Sequence, residues 1–161
     1  MTDAQDSALL HIALVQPEIP QNAGNVARTC AVLGAHLHLV HPLGFRLDDR
    51  HLRRAGVDYW DLVSWTEHDD WPSFAVAWPA ERVWLVTTRG GARYDEVRFQ
   101  PGDCLVFGSE SRGLPLALVE RYPGRGLRIP MRPGARSLNL SNSVAVVAFE
   151  AYRQWGFPGL V

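Results

Sequence analysis

Residues 128–155 read RIPMRPGARSLNLSNSVAVVAFEAYRQW, and this stretch decides the architecture of the chain. It predicts a short strand over Leu127–Ile129 that stops at Pro130. A polar loop follows, and then a helix over Ser143–Trp155 that ends at Gly156. The loop is dense in Arg, Ser and Asn. Because it leads into a helix N-terminus, its free N–H groups can bind anions and polar ligands.

The predicted last helix has almost no polar face. Only Glu150, Arg153 and Gln154 interrupt its apolar surface. A helix that is apolar nearly all round is buried on more than one side. In a chain of 161 residues, this pattern predicts a homodimer in which a second subunit covers the helix.

Length and charge bound the class of protein to which the chain can belong. Its 161 residues form one domain, 1–161, with a real core. The net charge of −1 argues against a generic polybasic nucleic-acid binder. All 16 basic residues are Arg, which genome composition alone can explain, but seven of them lie beyond Leu105 against three Glu. This local excess of a cation suited to phosphate favours RNA or nucleotide binding.

The same sequence gives no sign of export or of a membrane anchor. No apolar run approaches the ~20 residues that a membrane span needs, and the first residues, MTDAQDSALLH, do not form a secretory signal. Cys30 and Cys104 have neither disulfide nor metal-ligand spacing. We therefore expect a cytoplasmic protein with no membrane contact.

Strand-type and helix-type segments alternate along the chain, which predicts an α/β fold with an open, mostly parallel sheet flanked by helices. Asn22 is the expected N-cap of the first long helix, and Pro72 lies in the first turn of a later one. The predicted strands are Leu9–Gln16, Leu37–Val40, Tyr59–Trp65, Val83–Thr88 and Cys104–Phe107, and the further predicted helices are Ala23–Leu33, Asp48–Ala55, His68–Trp78 and Pro115–Arg121.

Several common catalytic motifs do not occur. There is no G-x-G-x-x-G after the first strand, no P-loop and no G-x-S-x-G elbow. His36 and His38 share one strand face, whereas His41 does not, and no carboxylate or thiolate sits at a matching spacing. We predict no metal site.

The unusual polar residues lie in three loops that each follow a predicted strand. The loops are Asn22–Arg28, Phe107–Leu114 and Ile129–Asn142. In open α/β sheets ligands bind at the carboxyl ends of the strands. The three loops are therefore expected to converge on one site.

The three loops contain N-x-G-N-x-x-R, F-G-x-E-x-R-G-L-P and I-P-M-x(5)-S-L-N-L-S-N, in that order. Together they resemble the motifs of the SPOUT superfamily of RNA ribose 2′-O-methyltransferases. PEIPQNAGN, HPLGF and LRRAGVDYW resemble its TrmL/YibK-type branch, which modifies the tRNA wobble nucleotide. The likeness covers His11 to Leu160. It departs at Ser109, where Pro is expected, and at Met1–Leu10, which are expected to be frayed.

The resemblance implies a C-terminal deep trefoil knot, a bound S-adenosyl-L-methionine that becomes S-adenosyl-L-homocysteine, and a homodimer with its active site at the interface. The implied reaction is 2′-O-methylation of nucleotide 34, a cytidine or modified uridine, in the anticodon stem-loop of tRNA-Leu isoacceptors. Two alternatives stay open: methylation of another tRNA position or of ribosomal RNA, and a non-catalytic RNA-binding module. Which isoacceptors and wobble base are used, and whether prior base modification is needed, are also open.

The resemblance also assigns roles to individual residues. Ser137 and Asn139 are expected near the methyl donor and the ribose. Glu110 either orders its loop or offsets the positive charge of the cofactor. Asn142 is a cofactor contact or, with Ser141, a cap of the last helix. The predicted catalytic residues are Arg28, Glu110, Ser137 and Asn139, and the predicted cofactor-binding residues are Val86, Thr87, Gly108, Ile129, Ser137, Leu138 and Asn142.

Arg28 matches the residue that is often assigned in this superfamily to activate the ribose 2′-hydroxyl. Two roles are open. A free arginine stays protonated at neutral pH, so acting as a base is costly. It could equally hold a phosphate and orient the hydroxyl for attack, since positioning alone supplies several kcal/mol.

Overall fold

The structure is a computed structural model that describes residues 3–48 and 59–161. In these residues seven parallel strands form one sheet in the order β3-β2-β1-β6-β4-β7-β5. The predicted α/β class is therefore confirmed. The strands are β1 Leu10–Val15, β2 His36–Val40, β3 Ser64–His68, β4 Val83–Val86, β5 Ala92–Arg93, β6 Asp103–Phe107 and β7 Gly126–Arg128, and the helices are α1 Asp3–Asp6, α2 Pro20–Leu33, α3 Trp71–Ala75, α4 Leu116–Glu120 and α5 Leu140–Gln154.

Three strands form the buried centre of the sheet. Every residue of β1, β2 and β6 is buried, and Ile12 of β1 lies beside Leu37 of β2 and Leu105 of β6. Strands covered on both faces have near-continuous apolar sequences rather than alternating ones. This accounts for the short apolar runs that the sequence analysis recognised.

Helices cover both faces. On one face α2 and α5 pack against the sheet and each other through Val26, Cys30, Val144 and Val147, and the Tyr152 hydroxyl donates to the Leu33 carbonyl over 2.7 Å. On the other face Phe74 of α3 and Leu118 of α4 pack on β1, β4 and β6. Both apolar faces of the sheet are thus covered by helices, whereas the ends of the strands lead into loops.

Edge strand β3 was predicted in the wrong place. Residues 59–63 form turns instead, in which the Tyr59 carbonyl accepts from the N–H groups of Leu62 and Val63 over 2.9 and 3.0 Å. The strand runs from Ser64 to His68 and alternates half-buried and exposed residues. An edge strand that is covered on one face follows that period. The strand therefore begins five residues later than predicted.

Two helix starts also differ from the predictions. α2 begins at Pro20, whose fixed φ suits a first turn, so Asn22 lies inside the helix and is not its N-cap. α5 begins at Leu140, three residues earlier than predicted. α3 is shorter than predicted, although Pro72 does lie in its first turn.

Most of the N-terminal segment that was expected to be frayed, residues 1–10, lies within the described residues. Asp3–Asp6 form α1, Leu9 packs against the core and Leu10 is fully buried in β1. The helix predicted over Asp48–Ala55 falls, from residue 49 onward, outside the described residues. Within residues 3–48 and 59–161 no helix has the length and apolarity needed to cross a membrane.

Candidate active site

A cleft of about 830 Å³ opens at the carboxyl ends of β4, β6 and β7. Its apolar lining includes Val86, Phe107 and Ile129 at the strand ends, together with Met131 and Leu138 from the loop before α5. Met131 and Leu138 are 37% and 39% exposed. A volume in the usual range for ligand sites, with apolar side chains left open to solvent, is typical of a pocket that a partly apolar ligand fills.

Most of the predicted site residues meet in this cleft. Its lining includes all of the following: Val86, Thr87, Gly108, Glu110, Ile129, Ser137, Leu138 and Asn139. They follow β4, β6 and β7, which are adjacent in the sheet. Two of the three motif loops, 107–114 and 129–142, therefore converge as expected, whereas the first, Asn22–Arg28, lies within α2 and contributes Asn22 to the lining. The individual roles of these residues stay predictions.

Two predicted site residues lie elsewhere. Asn142 does not line the cleft, and its backbone N–H donates to the Asn139 side chain over 3.2 Å. Arg28 is exposed on α2, with its guanidinium carbon 4.7 Å from the ring centroid of Tyr59. Within the described part of one chain, Arg28 therefore does not reach the cleft that holds the other candidates.

Asn139, rather than Ser141 or Asn142, caps the last helix. Its Oδ1 accepts from the Ser141 hydroxyl over 2.7 Å and from the Asn142 N–H. A side-chain oxygen that binds these N-terminal groups satisfies donors that a helix leaves free. The cap explains why α5 begins at Leu140, and it fixes the loop that carries Ser137 and Leu138.

Glu110 holds the start of α2. Its carboxylate accepts from the N–H groups of Glu18 and Ile19 over 2.7 and 3.0 Å, and from the Asn22 amide over 3.3 Å. A negative charge at a helix N-terminus also interacts favourably with the helix dipole. Because a carboxylate accepts about four hydrogen bonds, most of its capacity is used within the protein. The geometry thus favours loop ordering over the alternative of offsetting cofactor charge.

Asn22 joins the three motif loops, a role that the sequence analysis missed. Its Nδ2 donates to Glu110, and its Oδ1 accepts from Nδ2 of Asn139 over 3.1 Å. We call Asn22, Glu110, Asn139 and Ser141 the cleft network. The first Asn of N-x-G-N-x-x-R is the sequence signal for this role.

The backbone of residues 113–114 passes so close to Gly108 that only glycine fits at this position. A Cβ placed there would lie 2.1 Å from the Gly113 carbonyl carbon and 2.2 Å from the Leu114 nitrogen. Both are backbone atoms that cannot move aside cheaply. The glycine therefore permits the close approach of two backbone segments, and a substitution cannot close the cofactor slot while leaving this loop intact.

Four histidines form a second polar group on the face of the sheet that α3 covers. His38 lies between His11 and His68, with ring nitrogens 3.1 and 2.9 Å from theirs. His36 is hydrogen-bonded to the Ser64 and Thr66 hydroxyls over 2.7 and 2.9 Å. We call His11, His36, His38 and His68 the histidine cluster.

Burial keeps this cluster uncharged. It lowers the pKa of His11 and His36 to about 4 and that of His38 to about 2, with further lowering by the neighbouring imidazoles, and it also lowers the pKa of His68. His41 lies apart at the surface beside Glu67. In the ranges 3–48 and 59–161 no group of three or more His, Cys, Asp or Glu is arranged to hold a metal ion.

The sheet and its strand-end cleft define a SPOUT-type methyltransferase fold. An RNA 2′-O ribose methyltransferase superposes with a TM-score of 0.77 at 27% identity, over 92% of this chain and 57% of that chain. A structure solved to explain 2-OH methylation of C/U34 on tRNA superposes with a TM-score of 0.88 at 52% identity, over 93% of this chain and 98% of that chain.

The chain belongs to the SpoU rRNA Methylase family, whose pattern matches residues 9–149. It is 54% identical over 154 residues to a tRNA (cytidine(34)-2′-O)-methyltransferase of Burkholderia pseudomallei, covering 94% of this chain and 99% of that protein. It is 47% identical over 154 residues to the enzyme of the same name from Escherichia coli, with 95% and 98% covered. The predicted family is confirmed.

Proposed function

We propose that this protein transfers a methyl group from S-adenosyl-L-methionine to the ribose 2′-hydroxyl of nucleotide 34 in tRNA. The observation that carries the proposal is the cleft at the carboxyl ends of β4, β6 and β7, in a chain about half identical to tRNA (cytidine(34)-2′-O)-methyltransferases over nearly its whole length. Cytidine is the base that the names of these relatives support.

The cleft fits the cofactor in size and in chemistry. Val86, Ile129 and Leu138 provide apolar walls for a purine ring, while Thr87 and Ser137 provide hydroxyl groups. When bound, the cofactor supplies a sulfonium methyl group, and transfer to the ribose oxygen leaves the electron pair of the broken C–S bond on sulfur and releases the hydroxyl proton. The cleft network holds the loops in place, so that little reorganisation is needed on binding.

A second copy of the chain completes the proposed site. Val32 of α2 and Phe149 of α5 are 51% and 41% exposed on two helices that pack together. Arg28 precedes Val32 by four residues, so both lie on the same side of α2. A two-fold contact over these apolar side chains would cover them and would place Arg28 at the subunit boundary, where it can face the other copy's cleft.

Mapping of ribose methylation tests the reaction. Wild-type protein, cofactor and a tRNA transcript with cytidine 34 should give one 2′-O-methyl group at that position by mass spectrometry. A matched transcript with 2′-deoxycytidine at position 34 should accept none. Methylation at another tRNA position, or of ribosomal RNA alone, would replace the proposed substrate with one of the two alternatives.

We also propose tRNA-Leu isoacceptors as the natural substrates, and a trefoil knot in the C-terminal half. Both rest on the family resemblance of the three motifs. A panel of purified tRNAs compared by kcat/KM tests the first proposal, and equal rates for all tRNAs with cytidine 34 would contradict it.

Arg28→Ala should retain cofactor binding and lose nearly all methyl transfer, at least 1000-fold under single-turnover conditions, since positioning and charge placement together supply several kcal/mol. Calorimetry with S-adenosyl-L-homocysteine provides the control for an intact cleft. Transfer at the wild-type rate would remove Arg28 from the mechanism.

Arg28→Lys separates the two roles that are open for this residue. Lysine gives up its proton more readily than arginine, but it lacks the planar, two-pronged donor set. If Arg28 positions the RNA, the Lys variant should be nearly as inactive as the Ala variant at every pH. Appreciable transfer that rises towards alkaline pH would instead identify a base.

A further inference from the structure

The arginines of the described chain divide into two groups by their partners. Four of them, Arg46, Arg82, Arg93 and Arg153, form ion pairs with carboxylates. Arg125 and Arg128 donate to backbone carbonyls, and Arg28 stacks on Tyr59. Across residues 3–48 and 59–161, the arginines with neither kind of partner are Arg89, Arg98, Arg112, Arg121, Arg132 and Arg136.

Three of these unpaired arginines line the cleft. Arg89 follows β4, Arg112 follows β6 and Arg136 follows β7, and all three are exposed. These strands are neighbours in the sheet, so one guanidinium group stands on each of three adjacent loops. We call Arg89, Arg112 and Arg136 the arginine rim.

The charge of the cleft is unbalanced as a result. Among the described residues that line the cleft, Glu110 is the one acidic residue, and three N–H donors at the start of α2 already bind its carboxylate. Arg112 lies near Glu18 and contributes to the lowering of the pKa of that carboxylate, behind the larger effect of the Ser111 hydroxyl, but forms no ion pair with it within the described residues. The rim therefore presents a positive potential towards the solvent.

We propose that the arginine rim binds the phosphate backbone of the RNA substrate, as an extension of the proposed function. One carboxylate, such as that of an amino-acid cofactor, is satisfied by one bidentate guanidinium. Three separate guanidinium groups on three loops match an extended polyanion instead. Phosphate contacts bind a nucleic acid without reading its bases, so the rim would contribute affinity for the RNA backbone at the mouth of the cleft.

Salt-dependent binding of a tRNA transcript tests the proposal. For wild-type protein and Arg89→Gln, Arg112→Gln and Arg136→Gln variants, the dissociation constant is measured from 50 to 200 mM salt. Each lost phosphate contact should weaken binding roughly tenfold and reduce the slope of log K against log salt by about 0.7–0.9. Turnover at saturating tRNA should stay within a few-fold of wild type, so the loss should appear in KM.

Two arginines serve as matched controls. Arg98→Gln removes an unpaired guanidinium outside the cleft, and Arg153→Gln removes one paired with Glu150; both should bind tRNA with the wild-type slope. Cofactor affinity is measured in parallel by calorimetry. Unchanged slopes in all three rim variants would overturn the proposal, as would a loss of cofactor affinity with unchanged RNA binding, which would assign the rim to the cofactor carboxylate.

The rim proposal and the proposed function can fail independently of each other. If wild-type protein binds RNA with a rim-dependent slope but methylates a position other than 34, the rim assignment stands and the proposed substrate position fails. If position 34 is methylated and the rim variants bind tRNA like wild type, the proposed function stands and the rim assignment fails.

Discussion

The cleft network and the histidine cluster are both groups of hydrogen-bonded polar side chains, but the first borders solvent and the second is enclosed by aromatic side chains. Each is a set of polar side chains from distant segments, and each member forms hydrogen bonds of 2.7 to 3.3 Å to another member or to a neighbouring hydroxyl. The network borders an open cleft, whereas the cluster is closed in by Phe74 and Trp78. An arrangement of polar groups therefore does not identify a functional site until its exposure is known.

The two groups also differ in how they are satisfied. The cleft network contains one carboxylate and receives backbone N–H groups, so its charge stabilises a helix start. The cluster contains only neutral imidazoles that bond to each other and to hydroxyls, because a buried charge without a partner is costly. The network should consequently govern activity, and the cluster should govern the pH dependence of stability.

Acidification should have the largest effect. The folded cluster has pKa values below the usual 6.5 of histidine, so between pH 6.5 and about 4 the unfolded chain binds protons that the folded chain does not. Stability is then complete above pH 6.5 and falls as pH decreases through this window. At pH 5 each of His11, His36 and His38 should cost about 2 kcal/mol, together a large part of a typical domain stability.

Urea unfolding at pH 7.5 and pH 5 measures this loss. A His11→Asn variant should lose about 2 kcal/mol less than the wild-type protein between these two pH values, which is the contribution of one histidine. Equal stability of the wild-type protein at the two pH values would show that the cluster is not held neutral. The proposed difference between the cluster and the cleft network would then be wrong.

Glu110→Gln should have the second largest effect, and on the other region. The amide keeps the shape of the side chain but turns an NH₂ group towards one of the N–H donors of the 18–19 backbone. Hydrogen bonds to a charged group contribute about 1.5–3 kcal/mol, so we expect a loss of about 2 kcal/mol in unfolding free energy. Because the start of α2 and the cleft loops are tied together, methyl transfer should fall at least tenfold.

Thermal unfolding together with single-turnover transfer measures both effects. Glu120→Gln on α4 is the matched control, since Glu120 is exposed and no cleft contact depends on it. An unchanged rate with a full stability loss would confine Glu110 to a structural role.

Local patterns predicted the fold and the place of the site, but not the contacts inside it. The buried runs of β1, β2 and β6 and the polar loops behind the strands are features of neighbouring residues, so they are visible in the sequence. The bonds of Asn22 to Glu110 and Asn139 span 88 and 117 residues. No periodicity encodes a partner that distant, and Asn22 was therefore assigned to the nearest helix start.

Contacts that local patterns do not encode also explain why the start of α5 was predicted wrongly and why only part of the histidine cluster was predicted. Asn139, Ser141 and Asn142 are all common capping residues, and which of them caps depends on how the loop approaches the helix. The shared face of His36 and His38 follows from strand alternation and is confirmed. Their partners His11 and His68 lie on other strands, so the cluster was not predicted.

Two serine substitutions should have the smallest effects on stability. They give the most direct comparison of the cleft network with the histidine cluster. Ser141→Ala removes a 2.7 Å hydrogen bond to Asn139 in the cleft network, and Ser64→Ala removes a 2.7 Å hydrogen bond with His36 of the histidine cluster. Each deletes one hydroxyl of similar geometry. The expected loss in unfolding free energy at pH 7.5 is about 1 kcal/mol for either variant.

Their effects on activity should differ although their effects on stability match. Ser141→Ala loosens the cap that holds the Ser137 and Leu138 loop, so cofactor affinity should fall a few-fold and methyl transfer with it. Ser64→Ala lies across the sheet and should leave both unchanged. Calorimetric titration with S-adenosyl-L-homocysteine, beside urea unfolding of the same samples, gives the two readouts. If the variants lose affinity equally, the hydrogen bonds act only through global stability, and the division of labour between the two regions is wrong.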